Sequence, residues 1–128
     1  MQPQPMIAVA DVPASSRWYQ QVLGARSGHG GDEYEQIVDA GGRMLLQLHD
    51  WNTREHPHLG DPQGRPSGNG VLLWFATDDI EAALARVRQV QAEVLEGPHV
   101  NPNANHREVW LRDPDGYVVV IAGPTGGV

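Results

Sequence analysis

The sequence predicts an α+β fold built from two tandem βαβββ modules. Three observations carry this. An apolar run followed by a capped helix occurs twice, with the caps at Asp11 and Asp79, about half the chain apart. Each helix is followed by short runs with strand-like alternation. The last two runs are joined by Asp113-Pro114-Asp115-Gly116, a tight-turn sequence: Pro presets φ at the second position and Gly relieves crowding at the fourth.

Taken in order, Ile7-Ala8-Val9-Ala10 is the first apolar run. Asp11 offers its carboxylate to the orphan N–H groups of a helix, and Pro13 sits where a missing N–H costs little. The helix continues through Trp18, Tyr19, Val22 and Leu23, and Gly24 stops it. Trp18 reads as core. His29, Gly30 and Gly31 read as loop. Residues 34–38 and 43–49 read as strands joined through Asp39-Ala40-Gly41-Gly42. Residues 51–70 are rich in Pro and Gly and show no periodicity, so they read as a linker loop, partly ordered as a flap over one face.

The second module opens with the apolar run 71–76. Asp79 caps a helix over 80–88, with Ile80, Ala83, Leu84 and Val87 on one stripe. Strands are predicted at 93–95, 108–112 and 118–122, with His99 in a loop. One domain of 128 residues results: module one over 1–50, linker over 51–70, module two over 71–128.

Composition narrows the function classes. The formal net charge of −7 opposes sequence-independent nucleic-acid binding, which needs a basic face. The longest apolar runs are too short to span a bilayer, so no membrane partner is expected. The N-terminal residues lack a basic region and a long apolar core, so no signal peptide is read and the cytoplasm is the default location. Zero cysteines remove disulfides, zinc–thiolate sites and thiol catalysis together.

Two stretches carry a family resemblance. Residues 106–122, HREVWLRDPDGYVVVIA, and the frame Asp11, Ser15, Tyr19, Leu23, Gly24 resemble the vicinal oxygen chelate superfamily of glyoxalases, extradiol dioxygenases and bleomycin-resistance proteins. The resemblance covers almost the whole chain. It implies a curled, incompletely closed mixed sheet with helices outside and a ligand cavity inside. Strand alternation then sorts the faces. Arg43, Leu45, Gln47 and His49 point inward, as do Leu72, Trp74 and Ala76. So do His106, Glu108, Trp110 and Arg112, and Val118, Val120 and Ala122.

The family's metal ligands fall at Gln4, Gln47, Leu72 and Val120. Two amides and two alkyl groups do not hold a divalent ion, which needs imidazole or carboxylate donors. No metal and no cofactor are therefore expected. The candidate ligand-binding residues are Gln47, His49, Leu72, Trp74, His106, Glu108, Trp110, Arg112 and Val120. Trp74 and Trp110 supply flat walls, Leu72 and Val120 an apolar floor, and the others polar handles. His106 and Glu108, at i and i+2 on one strand, do not form a relay by themselves. His56-Pro57-His58 has the spacing of a chelating pair but reads as exposed loop.

REVWLRDPDG (107–116) resembles the corresponding strand and turn of the bleomycin-resistance proteins. The resemblance implies a metal-free homodimer that sequesters a planar or aromatic small molecule. The alternative is a lyase, isomerase or dioxygenase of the same superfamily. It would use non-standard ligands such as His49, His106 and Glu108, or metal-free acid–base catalysis.

Overall fold

The computed structural model describes residues 1–52 and 54–126. It divides into two compact units, Met1–Gly64 and Arg65–Val128. The linker is shared between them, residues 51–64 going with the first unit and 65–70 with the second.

In the first unit β1 (Met6–Ala8) leads into α1 (Val12–Leu23), followed by β2 (Arg26–Gly30), β3 (Tyr34–Val38) and β4 (Met44–His49). The helix starts where its chemistry allows. The Asp11 carboxylate accepts from the Ala14 N–H at 3.0 Å, and Gly24 closes the helix at φ 63°, the left-handed region where a side chain is strained. Val12, Tyr19 and Val22 are buried on one stripe. Trp18 is only half-buried and meets the Tyr19 ring edge-on at 4.8 Å. The core position of this helix is therefore Tyr19, one residue along from the tryptophan expected there.

In sheet order the strands run β1-β4-β3-β2, with β1 parallel to β4 and the remaining pairs antiparallel. β2, Arg-Ser-Gly-His-Gly, is exposed throughout and carries no apolar alternation. It is a strand because it pairs with β3 at the sheet edge. His29 thus lies in a strand, not in the loop read from its flanking glycines.

The second unit repeats this plan with β5 (Leu72–Ala76), α2 (Ile80–Val90), β6 (Glu93–Asn101), β7 (His106–Arg112) and β8 (Val118–Ala122). The order β5-β8-β7-β6 matches the first unit strand for strand. Asp79 caps α2 as Asp11 caps α1, accepting from the Ala82 N–H at 3.0 Å. α2 runs on past the predicted end and stops at Gln91, which adopts the left-handed conformation at φ 57° without a glycine. β6 is longer than the predicted 93–95 and includes Pro98 and His99. It is an edge strand, where a missing ladder N–H is tolerated. The β7–β8 turn is built as its sequence implies. The Asp113 side chain accepts from Asp115 and Tyr117, and Gly116 takes φ 99°. No helix among the described residues is long and apolar enough to cross a membrane.

Candidate functional site

Strand registers decide which side chains share a face. In the second unit Trp74 pairs with Val120, and Val120 with Trp110. Leu72 pairs with Val118, Val118 with Arg112, and Glu108 with Ala122. Residues opposite each other in a ladder point to the same side of the sheet. Leu72, Trp74, His106, Glu108, Trp110, Arg112 and Val120 therefore belong to one face.

Along that face the indoles of Trp74 and Trp110 meet edge-to-face, with centroids 6.4 Å apart and planes at 85°. Val120 lies between them in the sheet and is fully buried. Trp74 is 44% exposed and Leu72 47% exposed, a large apolar area left facing outward from the unit. The His106 imidazole flanks Trp74 at 5.9 Å. An open pocket of about 330 Å³ sits at one end of this face, lined by Trp74, Asp78, His106, Ala122 and Thr125 among others.

Glu108 is the hub of the polar part and is 2% exposed. Its Oε2 lies 2.6 Å from His106 Nε2 and accepts from Asn101 Nδ2 at 3.3 Å. Its Oε1 accepts from Trp110 Nε1 at 3.0 Å and lies 3.3 Å from His99 Nε2. An ionised carboxylate only accepts, so the nitrogens that face it act as donors. Burial pushes the Glu108 carboxyl up. Donation from Trp110, His106 and Asn101, with the charge of His106, outweighs burial and holds it below the usual carboxylate range.

Three features of this hub lie beyond the sequence reading. His106 and Glu108 do meet, because both side chains lean along one strand face and a long carboxylate spans the i, i+2 gap. His99 and Asn101 join them from β6, opposite Glu108 and His106 in the register. The signal for that was antiparallel pairing carried through Pro98. Arg112, on the same face, is bonded away from this hub. Its Nε donates to Glu93 at 3.1 Å and its Nη1 to the Gly116 carbonyl at 3.0 Å.

Gln47 and His49 belong to the first unit, on β4. The Gln47 side-chain oxygen accepts from the Tyr34 hydroxyl, and its Nε2 donates to the Gln4 carbonyl at 2.8 Å. Gln36 Nε2 in turn donates to the Tyr34 hydroxyl at 3.1 Å. His49 is buried, with Nδ1 2.9 Å from the Asp50 carbonyl.

The four positions that the resemblance assigns to metal do not fit one. The Gln47 amide is occupied at both ends, Gln4 contributes its backbone carbonyl to that network, and Leu72 and Val120 carry no donor atoms.

Comparison with known proteins agrees with this architecture. No curated protein matches the chain. Among solved structures, a glyoxalase/bleomycin resistance protein/dioxygenase family enzyme from Burkholderia phytofirmans superposes with a TM-score of 0.74 at 21% identity, covering 94% of this chain and 95% of that one. TnmS3, an antibiotic binding protein from a Streptomyces species, gives 0.70 at 25% identity, covering 97% and 96%. TioX from a Micromonospora species gives 0.69 at 15% identity, covering 96% and 98%. The model of the Glyoxalase/Bleomycin resistance protein/Dioxygenase superfamily matches residues 2–121. The chain belongs to that superfamily.

Proposed function

We propose that the protein binds a planar, partly aromatic small molecule against the Trp74–Val120–Trp110 face and sequesters it, with no metal at that face. The observation that carries this reading is the half-exposed Trp74 set edge-to-face on Trp110, whose own N–H is held by buried Glu108. The Trp110 ring is held by that bond before a ligand arrives, which lowers the ordering entropy that opposes binding. The free indole surface of Trp74 suits a flat apolar partner. Arg112 is paired with Glu93, which removes one cation from the face and suits the acidic chain to a neutral or cationic ligand. The antibiotic-binding activity named for TnmS3 points in the same direction.

A natural-product library screened by thermal shift tests the reading, since a ligand that binds only the folded state raises the melting temperature by mass action. Flat aromatic hits that shift the wild type and not Trp74→Ala are expected. Hits that shift both proteins equally contradict the reading.

A second reading is favoured by the 2.6 Å contact of His106 with Glu108, which pairs an imidazole with a carboxylate beside the open pocket. On this reading the pair performs acid–base chemistry on a bound ligand. Conversion of a bound hit into product by wild type and not by His106→Gln identifies catalysis, and an unchanged ligand identifies sequestration.

The working form in this proposal is a two-fold homodimer, the commonest closed assembly, and sheet edges left open by each unit are the surfaces it would cover. Light scattering should give about twice 14.0 kDa at micromolar concentration, and a mass of 14.0 kDa counts against it.

A further inference from the structure

We propose that His49, Glu55 and His56 form a site for one divalent first-row transition ion, separate from the aromatic face. One ligand atom from each lies within 4.8 Å of the others, and this is the only such group of three among the described residues. Two imidazoles and a carboxylate are a donor set that zinc and its neighbours take.

The surroundings are arranged as a metal site needs. His49 ends β4, with its side chain 9% exposed, and its Nδ1 donates to the Asp50 carbonyl at 2.9 Å. That bond fixes the tautomer and leaves Nε2 with its lone pair free, the usual state of a ligating histidine. The same Nδ1 lies 3.1 Å from Asp50 Oδ1. Since the ring N–H serves the carbonyl, Oδ1 is buried with no hydrogen bond of its own. A cation on the far side of the ring strengthens that N–H as a donor and offsets the uncompensated oxygen.

Hydrogen bonds to Asn52 hold Glu55 and His56. The His56 N–H donates to the Asn52 carbonyl at 2.8 Å, and the Asn52 side chain accepts from the Glu55 N–H at 3.2 Å while donating to Glu55 Oε2 at 3.3 Å. This leaves Glu55 Oε1 facing His56 Nε2 at 3.5 Å, and it sets the His56 ring edge-on to His49 with centroids 4.6 Å apart. The sequence spacing suggested His58 as the partner of His56. The structure instead brings in His49 from the end of a strand. Three protein ligands leave a coordination position for water or a ligand atom.

Zinc titrated into chelator-stripped protein against a chromophoric chelator tests the site. One zinc per chain is expected. Glu55→Gln and His56→Ala, both in a loop and harmless to the fold, should each weaken uptake about tenfold or more, and His58→Ala should leave it unchanged. His49→Ala should abolish uptake, with circular dichroism checking that the variant folds. Zinc should also slow tryptic cleavage after Arg54 in the wild type and not in Glu55→Gln. No competition for zinc overturns the proposal. So does uptake that survives Glu55→Gln and His56→Ala, including uptake lost instead on replacing His99 or His106. Neither result bears on ligand binding at the tryptophans.

Discussion

The two modules share one backbone plan and spend it on opposite chemistry. Met6, Gln47, Gln36 and Tyr34 in the first hold the sheet positions that Trp74, Val120, Trp110 and Glu108 hold in the second. In the first module the row is closed by side-chain hydrogen bonds from Tyr34 to Gln47 and from Gln36 to Tyr34. In the second it is two indoles over a valine, with a carboxylate beneath holding one of them in place. A hydrogen-bonded row has satisfied itself and has little left to offer a ligand. An aromatic row with an exposed indole has not. On the proposed reading, the same ladder gives one module a structural role and the other a face that binds.

Removing the polar group that ties each row together sharpens that contrast most. Glu108→Leu leaves the Trp110 N–H, the Asn101 amide and the His106 ring without their buried partner, and should cost about 3–5 kcal/mol. Tyr34→Phe, at the matching position, removes one half-buried hydroxyl and should cost about 1 kcal/mol. Urea unfolding of the two variants reads the difference. Equal costs would mean that the Glu108 cluster is not a unit.

The pH dependence follows from the same carboxylate. Glu108 has a folded pKa below its unfolded value. Its contribution to stability is therefore complete above the unfolded value and is lost as pH falls through the folded one. Acid unfolding followed by fluorescence should be flatter in Glu108→Gln than in the wild type across that window. Identical acid limbs would show that Glu108 has no special partnership.

The smallest effect belongs to Arg112. Its partner Glu93 is 64% exposed, and such a pair contributes about 0.2–1 kcal/mol. Arg112→Ala should therefore shift stability only slightly and leave planar-ligand affinity near the wild-type value, as read by the same urea and binding titrations. A large loss of affinity would return Arg112 to the role of a ligand handle.

Much of this was legible in the residues. Asp11 and Asp79 announce both helices because a carboxylate before an amphipathic run has one local use. Asp113 to Gly116 announces the last hairpin because only certain residues fit a tight turn. Alternation along 106–112 and 118–122 follows directly from the pleat. What escaped depends on partners distant in sequence. β2 has no pattern of its own and exists through β3. β6 crosses a proline that only an edge position permits, so His99 and Asn101 were hidden from the Glu108 cluster. Trp18 reads as core from its place on the first helix, whereas the helix phase gives that place to Tyr19. His56 has the spacing of a chelating pair with His58 in sequence, while its neighbour in space is His49.

The central claim is that the tryptophan row of the second module is a binding face and the matching row of the first is not. Trp110→Ala tests it most directly when stability and affinity for a planar hit from the thermal-shift screen are measured on the same protein. A face residue should lose affinity about tenfold or more, with a stability loss below the roughly 3–5 kcal/mol typical of a core aromatic. Unchanged affinity with a core-sized loss of stability would show Trp110 to be packing alone, and the functional contrast between the two modules would not stand.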